Sequence, residues 1–524
     1  MNVVFSFTEG FRVKLKIQQQ LDRSKRRIQK RLDRMPDLLE DKPVLQVPGL
    51  HYEIADRSQA ICYGGVGMMM ALAKKVGLID AIDRRVHVLK VHVPYHESDH
   101  IMNIALNALC DGTCLEDIEL RRNDEAFLNA VNAGRIPDPT TAGDFCRRFR
   151  SREMIETIED AIHDARKDVW RRQPAAFFAV GTIDLDGTQV ETDGEKKEGI
   201  DIGYDGRWGY HPLVASLAET GEVLSIVNRP GNRPSHEGAA IVVDRYIARM
   251  KESGFMRIWL RGDTDFSQSQ HLDRWNAQPD VRFVFGFDAN SKLVGIAKTL
   301  PEQAWRRLER PQQHAATTTT KPRKKRENVK RKIVREREFR ELRLETEHVA
   351  EFPYQPGACN VPYRMVVVRK TIRVLKGQLR LLDEIRYFFY ITNEFDEPDE
   401  KIVFRANKRC NQENLLAQLH GGVRALTAPV DNLYSNWAFM VMTSLAWNLK
   451  AWSALILPEA PGRWQEKHRA EKKTVLRMEF KKYLNHFMHI PCQIVRTGHQ
   501  LIYRVLSWNP QLPVFFRMAE VLRL

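Results

Sequence analysis

The sequence predicts an α/β core behind a helical N-terminal region, and three observations predict it. From about Tyr63 to Trp170, apolar residues recur at three- and four-residue spacing, the period of helices packed on one face. At Phe177 the texture changes to strands, and two of these run into acids. FFAVGTIDLDGTQV reaches Asp184 and Asp186, and RIWLRGDTDF reaches Asp263 and Asp265. Between them lie a hairpin pattern and a helix pattern. That order belongs to α/β domains, where ligand sites collect at the carboxyl ends of strands.

The elements follow in chain order. Residues 11–34 read as a basic helix without Gly or Pro, suited to phosphates or to a solvated or oligomerising arm. Pro36 to Pro48 reads as a linker. GVGMMMALAKKVGLIDAID and HIMNIALNALCDG carry helical periods, with Gly112 as a stop. In IPDPTTAGDFCRRFRS a short helix opening at Pro139 is expected to carry Arg147, Arg148 and Arg150. Such a helical region suits DNA binding in helix-turn-helix style, or packing and dimerisation alone. HPLVASLAETGEVLSIVNRPGN reads as two strands joined at Glu219–Glu222, and HEGAAIVVDRYIARMKESG as a helix ending near Gly254. Residues 310–345, dense in Lys and Arg, read as a solvated excursion. YRMVVVRKTIRVL and IRYFFYITN follow as strands. The next helix carries Glu413, and NWAFMVMTSLAWNLKAW reads as a buried helix. EKHRAEKKTVLRMEFKKYL is a further basic helix. The expected divisions are a basic arm and linker (1–48), a helical DNA-binding domain (49–172), a core in two parts (173–300 and 403–458) around a basic, partly β insertion (301–402), and a basic C-terminal region (459–524).

Composition narrows the partner. The 524 residues are 43% hydrophobic and 9% aromatic, as in a globular protein, with ample core. Net charge is +15 and the pI about 9.4, which favours nucleic acid or another polyanion. The 7 cysteines, odd in number and scattered, argue against a disulfide framework and for a reducing compartment. Cys110 and Cys114 lie four apart without a second Cys/His pair, so buried thiols on one helix face are expected rather than zinc ligands. No apolar run reaches the ~18 residues that span a bilayer. MNVVFSFTEGFRVKLK lacks the long apolar centre of a signal peptide, and a cytoplasmic protein is expected.

The acids suggest metal chemistry. Asp184 could open a calcium loop, with Glu195 at its twelfth position, but Gln189 stands where such a loop needs Gly. At each strand end either acid could ligate metal: Asp184 or Asp186, and Asp263 or Asp265, which share a face in extended chain. Glu413 lies four residues after Arg409 on a helix whose Leu416, Leu419 and Val423 form an apolar stripe. Grouped carboxylates repel one another, and divalent cations relieve the repulsion. Oxygen-only ligation favours Mg²⁺ or Mn²⁺ over zinc, and two such ions suit phosphoryl transfer.

With TIDLDGT, YHPLVASLAETGEVL, NRPGN, RIWLRGDTDF, CNQENLLAQL, NWAFMVMTSLAWNL and HIPCQIVRTGHQLIYRV in this order, the sequence resembles DDE transposases of bacterial insertion elements, closest to the insertion-sequence 1380 group. The resemblance covers about residues 50–520. It implies a ribonuclease-H-like core with Asp186, Asp263 and Glu413 as catalytic acids holding Mg²⁺ (or Mn²⁺). It also implies that Arg409 contacts DNA phosphate and that the β-rich insertion helps hold a DNA end. The chain departs from the family pattern at Asp265, where Gly is usual, at His420, where Lys is usual, and at Ala406, where Tyr is usual. The expected function is cut-and-paste transposition: binding of terminal inverted repeats, strand cleavage and strand transfer, by a homodimer in the nucleoid. Expected DNA contacts are Arg409, His420, Arg147, Arg148, Lys324, Lys325 and Arg326. The competing expectations are a non-catalytic DNA-binding descendant and a metal-dependent nuclease without strand transfer.

Overall fold

The computed structural model describes residues 15–33, 59–204, 206–310, 340–376, 379–497 and 500–523. The chain forms two compact units. One comprises Met1–Phe177, Gly187–Arg233 and Asn414–Leu524, and the other comprises Phe178–Asp186 and Pro234–Glu413. Among the described residues no helix is long and apolar enough to cross a membrane.

The first unit is mainly helical. The periodic stretch before Phe177 forms helices Val66–Lys75, Leu78–Arg85, Glu97–Leu109, Ile118–Arg122, Glu125–Ala130, Pro139–Cys146 and Arg152–Arg171. Three of their starts follow from local chemistry. Asp124, Asp138 and Ser151 each accept a hydrogen bond from a first-turn amide, and Pro139 occupies a position where its missing N–H costs nothing. The helix Leu433–Leu455 is buried from Ser435 to Leu455, as its apolar run predicts. Its polar atoms serve a hairpin of strands Leu213–Leu217 and Glu222–Val227. Asn448 Oδ1 accepts from the Val223 amide (2.9 Å) while its Nδ2 donates to the Val223 carbonyl (3.0 Å), in the manner of a neighbouring strand. Trp447 Nε1 donates to the Gly221 carbonyl (2.7 Å). Glu222 is fully buried, yet it accepts from Thr220 Oγ1 (2.7 Å), Trp452 Nε1 (2.8 Å), Trp170 Nε1 (3.0 Å) and Arg166 Nε (3.2 Å). Four donors, one of them charged, offset the cost of taking a carboxylate out of water.

The second unit is built on a mixed sheet. Its strands lie in the order Arg306–Arg307, Arg340–Tyr354, Tyr363–Lys376, Leu379–Thr392, Val281–Phe287, Ile258–Gly262, Gly181–Gly187. The last three are mutually parallel and the others pair antiparallel. Strands Gly181–Gly187 and Ile258–Gly262 are buried on nearly every residue, the charged Asp184, Asp186 and Arg261 included. The crossover helix Ala239–Glu252 ends as expected, with Gly254 at φ +99°, a conformation glycine adopts at little cost. A core of Trp259, Val284, Leu308, Val349, Val366, Val368, Ile402 and Val403 joins the parallel strands to the long antiparallel ones and to helix Asp399–Asn407.

Several expectations change. Residues 340–345, read as the tail of a solvated excursion, open a 15-residue strand, Arg340–Tyr354. It pairs along its length with Tyr363–Lys376 and sends Val349 into the core, so pairing across the sheet outweighs composition. Helix Pro139–Cys146 stops before the arginines, so Arg147 caps its end and Arg148 and Arg150 lie beyond it. Cys110 and Cys114 do not share a helix face. Cys110 is the buried C-cap of helix Glu97–Leu109, its thiol pushed up to about 12 by burial, and Cys114 is exposed in the next loop. The basic arm is helical over Leu15–Leu32. The Pro36–Pro48 linker, residues 311–339 and with them Lys324, Lys325 and Arg326 lie outside the described residues.

Candidate active site

The site begins with two neighbouring parallel strands. Asp184 pairs in register with Arg261. Side chains alternate faces along a strand, so Asp184 and Asp186 share one face of their strand. By the same period Trp259 and Arg261 share a face of the adjoining strand, with Asp263 the next position on. The two strands thus offer two levels. The lower level is Asp184 with Arg261. The upper level, at the carboxyl rim, is Asp186 with Asp263.

The lower level is sealed. Arg261 donates from Nε to Asp184 Oδ1 (2.5 Å) and from Nη2 to Asp184 Oδ2 (2.6 Å), and the two side chains are 4% and 1% exposed. The remaining nitrogen, Nη1, donates to the Arg405 carbonyl (2.8 Å). Arg405 stacks on Trp259, with its guanidinium carbon 3.8 Å from the ring centroid, and pairs with Glu397 (2.8 Å). These contacts fix helix Asp399–Asn407 against the strand end. The chain then runs through Arg409 into helix Cys410–Ala417, which carries Glu413.

The upper level runs from the buried Asp186 to the exposed Glu413 and brings three acids to one arginine. Arg409 Nη1 lies 2.9 Å from Asp186 Oδ2 and 3.8 Å from Asp263 Oδ2, and Nη2 lies 3.2 Å from Glu413 Oε1. Residues 186, 263 and 413 are far apart in sequence, and the fold brings them within reach of a single guanidinium. Burial raises the Asp263 carboxyl above its usual range, against the pull of Arg409, and the nearby Asp265 charge adds to the rise.

The choice between paired acids gains a physical basis here. Asp184 is committed to Arg261, whereas Asp186 is at the rim. The parity argument for Asp265 does not hold, because the strand ends at Gly262 and the chain turns through Thr264–Phe266. Asp265 is exposed, and its amide donates to Asp263 Oδ1 (3.1 Å), capping that turn. Gly286 on the next strand makes the turn possible. A Cβ there would come within 2.9 Å of the Thr264 nitrogen and 3.1 Å of the Asp263 carbonyl carbon.

The other expected residues lie elsewhere. In the first unit, Thr188 Oγ1 is 2.9 Å from His420 Nε2, and burial lowers the His420 pKa. His420 is therefore a neutral hydrogen-bonding group at neutral pH. Arg147 is exposed but pairs with Asp144 (2.9 Å) and Asp431 (3.0 Å), and Arg148 is exposed. Leu416, Leu419 and Val423 are buried, as the apolar stripe predicts. Sequence reasoning missed Arg261 and Gly286. The signal for Arg261 was a charge closing an otherwise apolar strand, since a buried guanidinium requires an acid.

The donor set beside Arg409 is three carboxylates, the hard oxygen ligands that suit a divalent ion. Among the described residues, no three acids, histidines or cysteines stand close enough as placed to hold a metal. The acids suit such an ion by their chemistry, and as placed each contacts the Arg409 guanidinium.

A family model described as transposase DDE domain group 1 matches residues 58–522. The chain belongs to the DDE transposases. This family implies a DNA-cleaving enzyme and DNA as its partner, and DDE transposase domains generally use divalent metal ions. Among solved structures, this DDE transposase is similar to the piggyBac transposase synaptic complex with hairpin DNA. The identity is 10%, the TM-score 0.34, and the match covers 82% of this chain and 84% of that one. No curated protein matches the chain.

Proposed function

We propose that the chain is a cut-and-paste transposase of the insertion-sequence 1380 group with a ribonuclease-H-like core. In this reading Asp186, Asp263 and Glu413 hold Mg²⁺ or Mn²⁺. The observation that supports it is the meeting of these three carboxylates, from two strand ends and a later helix, on Arg409. When bound, such ions activate an attacking oxygen and stabilise a leaving one. Asp186 and Asp263 fix two ligand directions from rigid strands, and Glu413 closes the set from its helix. The Arg261–Asp184 pair holds the preceding helix, Asp399–Asn407, in place through the Arg405 carbonyl. Arg409 pairs with a DNA phosphate beside the acids.

Recognition of terminal inverted repeats falls to the helical N-terminal region and to basic segments. Arg147 and Arg148 lie at the end of one short helix, Lys324, Lys325 and Arg326 lie in the basic insertion, and His420 acts as a neutral donor or acceptor. Two copies of the chain bring two DNA ends together. The deciding experiment incubates the purified protein with DNA carrying the sequences that flank its reading frame. Cleavage with Mg²⁺ and joined products in a plasmid target are expected, with neither in EDTA. Cleavage without joining would leave a nuclease. Binding without cleavage would leave a DNA-binding descendant.

A further inference from the structure

Arg409 places its guanidinium within 3.8 Å of all three acids, among the oxygens that an ion shared by them would need. Two cations cannot both be there. A guanidinium and a divalent ion at that spacing repel, and each competes for the same carboxylate oxygens. Arg409 keeps its charge at any working pH, so deprotonation offers no way out. Its side chain must move. It has the means, because it lies between helices Asp399–Asn407 and Cys410–Ala417 and is held at the acids by its guanidinium. The acids, in turn, need a counter-charge whenever no metal is bound, since neighbouring carboxylates destabilise one another.

We propose that Arg409 is a displaceable counter-ion. In the free protein it closes the acid cluster to metal, and it opens the cluster when a DNA phosphate takes its guanidinium. The proposal rests on the reading of Asp186, Asp263 and Glu413 as metal ligands. A phosphate offers the fork the bidentate pairing it has with a carboxylate, so leaving the acids for DNA loses little. Its departure frees the carboxylate oxygens and lets them draw together around an ion. DNA binding and metal binding are then coupled, and by linkage the coupling is reciprocal. The consequence is protective, because a protein without its DNA loads metal poorly and cannot cut at random.

The test is Mn²⁺ binding by the full-length protein, read from the paramagnetic resonance of free Mn²⁺, with thermal unfolding alongside. Without DNA, Arg409→Gln should bind Mn²⁺ at least about tenfold more tightly than the unsubstituted chain. Adding Asp186→Asn to that variant should remove the gain. A duplex from the DNA flanking the reading frame should tighten Mn²⁺ binding by the unsubstituted chain and change Arg409→Gln little. In EDTA, Arg409→Gln should melt lower than the unsubstituted chain, and saturating Mn²⁺ should close the gap. Equal Mn²⁺ affinity for both proteins, lost in both on Asp186→Asn, would overturn the gate and leave the metal site standing. No Mn²⁺ binding by any variant, with or without DNA, would overturn both. The DNA arm needs no variant: unchanged Mn²⁺ affinity of the unsubstituted chain on adding the duplex also refutes the proposal.

Discussion

Two arginine–carboxylate sites lie two residues apart on the same pair of strands, and their surroundings give them opposite characters. Arg261 and Asp184 are sealed, paired by both nitrogens and both oxygens, and use the third nitrogen to anchor a helix. Arg409 meets Asp186, Asp263 and Glu413 at the rim, where one cation faces three acids and Glu413 is 58% exposed. The lower site has matched charge and no room. At the upper site one guanidinium is shared among three acids, and Glu413 has access to solvent. The difference teaches that an acid's neighbours, rather than its strand, decide whether it can exchange its partner. A buried matched pair is a fixture, because separating it strands a charge in a low dielectric. A cluster that reaches solvent, as this one does at Glu413, can exchange its contacts, because water and incoming cations can substitute for them.

Substitutions can break this comparison. The largest effect is expected on chemistry at the rim. Asp186→Asn, Asp263→Asn and Glu413→Gln should each lower strand cleavage by about 10³-fold or more, the several kcal/mol a metal site supplies, while gel-shift affinity for DNA survives. Retained cleavage in any one removes that residue from the catalytic set. Next is stability at the sealed level. Asp184→Asn should cost about 3–5 kcal/mol, read as a fall in the urea midpoint, because it leaves Arg261 charged, buried and unpaired. If Asp184→Asn were as mild in urea as Asp186→Asn, the contrast between the two levels would fail.

Smaller effects sharpen it. Replacing the pair together, as Asp184→Leu with Arg261→Met, should recover most of the stability that Asp184→Asn loses, since no lone charge remains. The smallest effect concerns pH. The Asp263 pKa is raised in the fold, so the folded protein holds its proton more readily than the unfolded chain. That contribution is fully present below the unfolded pKa and is lost as pH rises through the folded one. At neutral pH the charged Asp263 therefore burdens the fold. Asp263→Asn should raise the melting temperature slightly at pH 7, and the difference should vanish below about pH 4. A fall at pH 7 would mean that the Arg409 contact outweighs burial.

Much of this was legible from residues alone. The two strands that end in acids, the crossover helix that stops at Gly254 and the buried helix Leu433–Leu455 carry periods set by local packing, so their identity is written in order and spacing. The start of strand Arg340–Tyr354 was obscured because charges dominate its composition and its partner strand lies later in the chain. Parity failed at Asp265 because the strand ends three residues earlier, at Gly262, a boundary that Gly286 on another strand permits. The contact of His420 with Thr188 joins residues 232 positions apart, which spacing along the chain does not reveal.

The sequence by itself placed acids at two strand ends and on a later helix, because strand and helix periods are set by local packing. Only the tertiary structure paired Asp184 with Arg261 and brought Asp186, Asp263 and Glu413 to Arg409. Those pairings depend on which side chain Arg261 reaches and which Arg409 reaches. Ion pairing is fixed by distances across the fold, and spacing along the chain does not encode them.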